Sequence, residues 1–129
     1  MREARVELIQ EADFVNKDIR TIVHYIDRHL HEIHTVDDIS EAIHMSRSSI
    51  YKAFAQQFDT PIMSYVRTQK CMVARSLLSE GVSATEVSEQ LGFNHYSSFY
   101  RDYSKVFNCS PSDTVQIDYY TNIQSQSNS

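Results

Sequence analysis

The sequence predicts an all-α protein of about seven helices. Glycine and proline number only two each in 129 residues, whereas a sheet protein needs turn residues every ten or so positions. Apolar residues make up 41% of the chain and recur at helical spacing along most of it. Residues suited to helix capping precede these apolar stretches. The length fits one domain, or two small lobes that share a helix.

The first predicted helix covers residues 17–33. Its support is an apolar stripe at helical spacing, formed by Ile19, Ile22, Val23, Ile26 and Leu30. Asn16 is placed to cap the first turn, because asparagine is among the preferred N-cap residues. Residues 1–16 are predicted to be an N-terminal arm, either a short amphipathic helix or the remnant of a linker from an upstream domain.

Two shorter helices follow, at about 36–43 and 47–57. Thr35 is the predicted N-cap of the first, with Asp38 three positions on in a capping-box-like arrangement. Ser46 is the predicted N-cap of the second. His44 lies in the turn between them, and histidine is one of the few residues other than glycine that enter the left-handed region readily. We therefore expect a tight turn at His44.

A long linker helix is predicted over residues 61–79. Thr60 caps it, and Pro61 takes its first position, where the missing N–H costs nothing. A broad apolar stripe supports it, formed by Ile62, Tyr65, Val66, Gln69, Met72, Val73 and Leu77. At 1.5 Å per residue the helix is roughly 28 Å long. Gly81 is suited to the left-handed C-cap that ends it.

The last three helices are predicted at about 84–91, 96–107 and 111–118. Ser83 is the N-cap of the first, and Gly92 lies in the turn that follows it. Asn94 or His95 caps the second. The final residues, 119–129, are rich in Asn, Gln and Ser and are predicted to be a disordered tail.

The two pairs of shorter helices are copies of one pattern. Residues 36–45 recur 48 positions later as residues 84–93, and the pair Ser40-Glu41 recurs as Ser88-Glu89. The apolar positions match as Ile39 with Val87, Ile43 with Leu91, and Met45 with Phe93. Each copy has the pattern of a helix-turn-helix. The sequence therefore predicts two lobes, at residues 17–60 and 80–118, joined by the linker helix.

Helix-turn-helix units bind DNA through outward-facing residues at the start of their second helix. The predicted contact residues are Ser46, Arg47, Ser48, Tyr51 and Lys52 in the first unit, and Tyr96, Ser97, Tyr100, Arg101 and Lys105 in the second. Arg101 is the strongest candidate for a base contact, because a guanidinium fork suits guanine O6 and N7. The linker helix has the scale of the roughly 34 Å between successive major grooves. Double-stranded promoter DNA is therefore the predicted partner.

The net charge of −5 is unusual for a protein that binds nucleic acid. Its distribution reduces this objection. Residues 44–109 carry seven basic and five acidic side chains, whereas residues 1–43 carry five basic and ten acidic. The face presented to phosphates matters more than the sum. An alternative stays open, in which the same fold is a protein-interaction module with weak or lost DNA binding.

The sequence lacks the patterns of an enzyme, a cofactor site or a metal site. Cys71 and Cys109 match no zinc site or disulfide framework and are predicted to be free thiols. His31 and His34 have a spacing that could hold a metal, but no further ligand completes a site, and surface histidines are favoured. A signal peptide is lacking, and no apolar stretch reaches the ~20 residues of a membrane span. A cytoplasmic location is expected.

A set of residues around the second unit matches a known pattern: Gly92-Phe93, Ser98-Phe99, Arg101, Phe107 and Ser110-Pro111. Earlier matching positions are Tyr25-Ile26, His29, Asp38-Ile39, His44-Met45-Ser46, Phe54, Tyr65, Ala74 and Leu77-Leu78. On these residues the chain resembles the AraC/XylS family of bacterial transcription activators. The resemblance implies seven helices, two lobes joined by the long helix, and promoter binding that recruits RNA polymerase. The segment 1–16 fits a native start or a cut from a longer regulator with an upstream sensor or receiver domain.

Several positions depart from the pattern of the family. Ala55 replaces a basic residue, Tyr103-Ser104 replaces Phe followed by a basic residue, Asp59 replaces a Gly, Lys70 replaces an Arg, and His95 replaces a frequent Asp. Fewer basic residues predict fewer phosphate contacts and a shallower salt dependence of binding. These departures bear on DNA affinity rather than on the fold.

Overall fold

The computed structural model describes residues 16–114, which contain helices, turns and short connections but no β-strand. The α-helices in this part are α1 Lys17–Arg28, α2 Val36–Ile43, α3 Arg47–Gln57, α4 Ile62–Ser79, α5 Ala84–Gln90 and α6 Tyr96–Phe107. A 3-10 helix occupies Leu30–Glu32, and residues 111–114 are helical as well. The predicted all-α class is confirmed. The N-terminal arm up to residue 15, the end of the last predicted helix and the tail 119–129 lie outside the described residues.

These elements form two compact units. Within the described residues, unit 1 consists of 16–29 and Ile33–Val66, and unit 2 consists of Leu30–Glu32 and 67–114. The first turn of α4 therefore belongs to unit 1 and the remainder belongs to unit 2. The helix begins at Ile62, one residue later than predicted.

In unit 1, α1 packs against α2 and α3, and α2 packs against α3. The fully buried residues of these helices and the connection after α1 are mostly isoleucines: Ile19, Ile22, Ile26, Ile33, Ile39 and Ile50. The ring centroid of Phe54, on α3, lies 4.5 Å from that of Phe58 and 5.5 Å from that of Tyr65 on α4. Removal of this apolar surface from water is the main force that holds α3 against the other helices.

Side-chain caps set the starts of three helices where the sequence predicts them. The side chains of Asn16, Ser46 and Ser83 accept hydrogen bonds from the backbone N–H groups of Asp18, Ser49 and Glu86, at 2.7, 3.2 and 3.2 Å. At the start of α2, the Asp38 carboxylate accepts the backbone N–H groups of His34 at 2.7 Å and Thr35 at 2.9 Å. These two hydrogen bonds, that from His34 first, lower the pKa of Asp38.

The core of unit 2 lies between α4, α5 and α6. It is formed by Cys71, Ala74, Leu78, Val87, Leu91, Phe99 and Tyr103. The Tyr103 and Thr114 hydroxyl groups form a buried hydrogen bond of 2.6 Å, which ties the helical residues 111–114 to α6. Cys71 and Cys109 are free, as predicted. Burial raises the pKa of the Cys71 thiol to about 12, so this thiol stays protonated and unreactive at neutral pH.

The predicted helix over residues 17–33 is wrong at its end. α1 stops at Arg28, and the His29 N–H is shared between the carbonyls of Tyr25 at 3.0 Å and Ile26 at 3.3 Å. No glycine or proline marks this position in the sequence. The 3-10 helix Leu30–Glu32 that follows belongs to unit 2, whereas α1 belongs to unit 1. Tertiary packing, which local propensity does not report, therefore ends the helix.

The apolar stripe predicted along α4 is wrong at Val73, which is 39% exposed. Leu77, a later member of the stripe, is partly buried and packs against the core of unit 2. Besides Cys71, the buried positions of the helix form a row at four-residue spacing: Ile62, Val66, Lys70, Ala74 and Leu78. Such a row drifts about 40° around the helix at each step, which leaves Val73 off it. The row also buries a cation, Lys70, which is only 5% exposed.

Candidate nucleic-acid interface

The turn between α2 and α3 fixes the start of α3. His44 has a φ of 56°, in the left-handed region, as predicted. The Met45 N–H donates to the Ser40 carbonyl at 3.2 Å, and the Ser40 hydroxyl donates to the Met45 carbonyl at 2.6 Å. Ser46 then caps α3. Hydrogen bonds on both sides of the turn therefore hold α3 in a defined position relative to α2.

Gly92 has the equivalent place between α5 and α6. Its φ is 79°, and the Phe93 N–H donates to the Ser88 carbonyl at 3.0 Å, as Met45 donates to Ser40. A Cβ atom at Gly92 would overlap the carbonyl oxygen of His31. Glycine is therefore required both by the backbone conformation and by the close approach of another backbone segment. His95 is the N-cap residue of α6, but its side chain makes no capping hydrogen bond.

The helices α3 and α6 correspond residue by residue at a shift of 49, because the second turn is one residue longer than a repeat of 48 allows. Buried partners under this shift are Ile50 with Phe99 and Phe54 with Tyr103. Exposed partners are Tyr51 with Tyr100 and Lys52 with Arg101. The repeat of 48 found in the sequence ends at the turn, so it does not reveal this correspondence.

All five predicted contact residues of unit 1 are exposed: Ser46, Arg47, Ser48, Tyr51 and Lys52. The four that lie within α3 occupy one side of the helix, because spacings of three and four residues link Arg47 to Tyr51 and Ser48 to both Tyr51 and Lys52. The opposite side of α3 is buried through Ile50, Ala53 and Phe54. Tyr51 keeps 53% of its surface exposed. The structure thus brings the predicted residues together on an outward face.

Arg47 has an intramolecular ion-pair partner that sequence reasoning missed. Its Nε atom lies 3.3 Å from Oδ1 of Asp37 on α2, and both side chains are more than half exposed. Pairs of this kind contribute at most about 1 kcal/mol. An external anion can therefore compete with Asp37 for Arg47. Ten positions separate the two residues and a turn lies between them, so no helical spacing signals the contact.

All five predicted contact residues of unit 2 are exposed as well: Tyr96, Ser97, Tyr100, Arg101 and Lys105. Phe99 and Tyr103, on the other side of α6, are fully buried. Among residues 16–114, no ion pair involves Arg101. The neighbouring Asp102 is partly buried whereas Arg101 is exposed, as expected of adjacent positions on a helix, which do not face each other. Within this part of the chain, the Arg101 guanidinium is therefore exposed and has no charged partner.

The start of α6 packs on a cluster of aromatic rings. The Phe99 ring centroid lies 5.3 Å from that of Phe93 and 5.8 Å from that of Tyr96. The ammonium of Lys70 lies 5.2 Å from the centre of the Phe93 ring, a cation–π contact. Lys70 thus contacts the turn before α6. In the sequence, Lys70 is a basic residue within the linker helix, and its spacing does not indicate the contact with Phe93.

The two histidines considered as metal ligands, His31 and His34, are both exposed. The Nε2 atom of His31 lies 3.6 Å from a carboxylate oxygen of Glu32. Across residues 16–114 there is no group of three or more His, Cys, Asp or Glu side chains that could hold a metal ion. In the same part of the chain, no helix is both long enough and apolar enough to cross a membrane.

Two helices with exposed polar and aromatic faces, each entered through a tight turn from a shorter helix, define a double helix-turn-helix protein. A family model described as a helix-turn-helix domain matches residues 39–117. The chain is 29% identical over 106 residues to the XylDLEGF operon transcriptional activator 2 of Pseudomonas putida, which covers 79% of this chain and 68% of that protein. It is 30% identical over 92 residues to the xylose operon regulatory protein of Escherichia coli K12, which covers 70% of this chain and 24% of that protein.

Among solved structures, a probable AraC family transcriptional regulator from Rhodopseudomonas palustris CGA009 superposes with a TM-score of 0.67 at 25% identity. The superposition covers 80% of this chain and 98% of that one. The chain belongs to the AraC/XylS family of DNA-binding transcription regulators. It spans about a quarter of the length of the xylose operon regulatory protein that it matches.

Proposed function

We propose that this chain regulates transcription by binding a specific promoter sequence with α3 and α6 in two adjacent segments of the major groove. The observation that carries the proposal is the matched exposure of Tyr51 and Lys52 on α3 and of Tyr100 and Arg101 on α6. The major groove, about 12 Å wide, accepts one helix. Recognition helices present their N-terminal, outward residues to base edges, and these four residues lie in the first half of each helix.

Several roles follow for the side chains of the two faces. Arg101 is proposed to bind guanine, because its guanidinium is unpaired within the described chain and its two donors match guanine O6 and N7. Lys52 is the residue of α3 that corresponds to Arg101 under the shift of 49. The small hydroxyl residues Ser48 and Ser97 allow the helices to approach the duplex closely. Three further residues, Ser46, Arg47 and Lys105, are proposed to contact phosphates.

The length of α4 supports a site with two parts. The helix is uninterrupted over the 18 residues from Ile62 to Ser79, which corresponds to roughly 27 Å. Successive major grooves on one face of B-DNA lie about 34 Å apart. We propose a site of roughly 15–20 base pairs that contains two segments about one helical turn apart. The site should be asymmetric, because α3 and α6 carry different side chains.

RNA polymerase is the proposed protein partner, since the Pseudomonas putida relative is named as a transcriptional activator. The Escherichia coli relative is much longer than this chain. If this chain is part of a longer protein, a sensor or receiver domain upstream of the two units is proposed to control them.

A protein-interaction module with weak or lost DNA binding is the second candidate. Two observations favour it: the net charge of −5 and the neutralisation of Arg47 by Asp37. Both would reduce attraction to a polyanion. The two candidates differ in one measurable property, the binding of duplex DNA at low salt.

A mobility-shift titration with a random-sequence duplex over a salt series separates the candidates. A DNA-binding protein should retard the duplex at low salt and lose affinity steeply as salt rises, because bound phosphates release counterions. The variant Arg101→Ala should bind more weakly, and Arg28→Ala is the matched control, since Arg28 is also exposed but lies at the end of α1. No retardation at the lowest salt would support the interaction module instead.

A further inference from the structure

We propose that α6 reads thymine-rich DNA, and that Tyr96 and Tyr100 contact thymine 5-methyl groups in the major groove. This rests on the proposed function and adds thymine to the guanine that Arg101 is proposed to bind in unit 2. Large apolar side chains with high exposure are few in the described chain: Tyr51, Val73, Tyr96 and Tyr100. Two of these four are neighbours on α6, so this helix carries a concentrated aromatic surface.

The aromatic pair is formed by consecutive turns of one helix. Tyr96 is the first residue of α6 and Tyr100 lies four positions on, so the two side chains share a side of the helix. Their ring centroids are 6.4 Å apart. They are 40% and 47% exposed, respectively. The pair therefore presents a nearly continuous apolar surface at the end of the helix that enters the groove.

The inner edge of this surface is fixed by the core. The Tyr96 ring meets the Phe99 ring edge-on, with centroids 5.8 Å apart. Phe99 is fully buried and packs in turn on Tyr103, at 5.7 Å. Tyrosine has only two side-chain torsions, so it offers contact area at a low entropic cost. The Tyr96 ring at the start of α6 is thus held in position by the core while part of its surface stays exposed to a partner.

The chemistry of the major groove indicates what such rings contact. The thymine 5-methyl group is the distinctive apolar feature that base pairs display there, and apolar side chains recognise it. Ser97 and Arg101 lie beside the aromatic pair and are exposed on the same helix. A hydroxyl and a guanidinium next to the rings suit a polyanion with hydrogen-bonding base edges more than an apolar protein surface.

The equivalent position on α3 is different. Under the shift of 49, Tyr100 corresponds to Tyr51, but Tyr96 corresponds to Arg47, which pairs with Asp37. The first unit therefore offers a single exposed ring. Dependence on thymine methyl groups should be concentrated in one half of the site, the half that α6 reads.

Replacement of thymidine by deoxyuridine removes only the 5-methyl group and tests this directly. The dissociation constant is measured on duplexes that carry a selected binding site with thymidine replaced in one half at a time. Burial of one methyl contributes about fourfold in affinity, the equivalent of about 0.8 kcal/mol. We expect one half-site to lose roughly 15-fold on replacement, for two methyl groups, and the other half-site to lose at most about fourfold.

Variants assign the effect to the two rings. When deoxyuridine is placed only in the half-site that shows the larger loss with the wild type, the double variant Tyr96→Ser/Tyr100→Ser should bind the thymidine and deoxyuridine duplexes with equal affinity. Tyr96→Phe/Tyr100→Phe should keep the discrimination of the wild type, because the contact requires the ring and not the hydroxyl. Val73→Ser is the matched control, since Val73 is 39% exposed but lies on α4, and it should also keep the discrimination.

The outcomes are separable. A wild-type protein that binds thymidine and deoxyuridine duplexes equally overturns the inference alone, and the aromatic pair is then better explained as a protein contact. Discrimination that persists in the double serine variant at the half-site of larger loss also overturns it. A wild-type protein that binds no duplex overturns the proposed function, and the inference with it.

Discussion

The two helices α3 and α6 have the same pattern of buried positions but differ in the side chains that they expose. Their buried positions correspond, Ile50 with Phe99 and Phe54 with Tyr103. On the outside, α3 begins with Arg47, which is held by Asp37, whereas α6 begins with the ring of Tyr96. The buried positions are thus apolar or aromatic in both helices, whereas the exposed first residue differs. Under the proposed function, the two helices would contact DNA through different side chains at this position.

The turns before these helices share a backbone conformation but differ in the space around it. Both have a residue in the left-handed region, His44 in unit 1 and Gly92 in unit 2. The first turn carries a histidine side chain that is exposed, whereas the second has the His31 carbonyl where a Cβ would lie. Unit 1 therefore tolerates a side chain in its turn and unit 2 does not.

The largest expected effect is that of Gly92→Ala. The left-handed conformation costs an alanine about 1–2 kcal/mol, and overlap with a backbone carbonyl adds a further 1–3 kcal/mol, as overpacking does. Gly81→Ala is the matched control, because Gly81 has a φ of 97° but no heavy atom within 4 Å of the new Cβ. Urea unfolding should show a clearly larger loss of stability for Gly92→Ala. Equal losses would mean that the contact with His31 is unimportant.

Next in size is Arg101→Ala, which should weaken binding to the selected site by about 1–3 kcal/mol and relax the preference at one position. Arg47→Ala should cost less, because Arg47 must first leave Asp37. Dissociation constants for both variants on one duplex measure the difference. If Arg101→Ala left affinity and sequence preference unchanged, Arg101 would not be a base contact.

A third difference between the units is the capping of α2 by Asp38. The lowered pKa of Asp38 means that its carboxylate stabilises the fold above its unfolded pKa of about 3.9, and that this stability is lost as the pH falls through the lower folded pKa. Asp38→Asn should destabilise the protein by about 1 kcal/mol at pH 7. The difference from the wild type should shrink as the pH is lowered below about 4.

Thermal unfolding at a series of pH values measures this effect. The matched control is Glu41→Gln, also on α2, because Glu41 is exposed and does not accept these two N–H groups. A difference between Asp38→Asn and the wild type that stayed constant down to pH 2 would exclude the carboxylate as its source.

The smallest expected effect is a gain of affinity in Asp37→Asn. Removing this carboxylate frees Arg47 for a phosphate and eliminates one negative charge near the duplex, a change of about 0.2–1 kcal/mol. The gain should be absent when Arg47 is already alanine. Weaker binding by Asp37→Asn would contradict the role given to the ion pair.

The fold could be predicted from the sequence wherever the signal was local. The bounds of α2 and α3 agree with prediction because capping residues and a turn residue mark them: Thr35, His44 and Ser46. The exposed faces of α3 and α6 could be assigned for a similar reason, since helical periodicity separates them from the buried residues. These properties depend on residues within a few positions of one another.

The remaining features depend on contacts between distant residues. α1 ends at Arg28, just before Leu30–Glu32, a segment that packs in unit 2 with the His31 carbonyl against Gly92, about 60 positions later. The pair Asp37–Arg47 and the support of Phe93 by Lys70 also cross between elements. No spacing rule links such residues, so only the three-dimensional structure reveals them.

Selection of bound sequences from a random duplex pool tests the central claim, that both helices read DNA. We expect an asymmetric consensus of roughly 15–20 base pairs with two informative segments about one helical turn apart. A pool that shows no enrichment, or one that yields a single short segment, would contradict it.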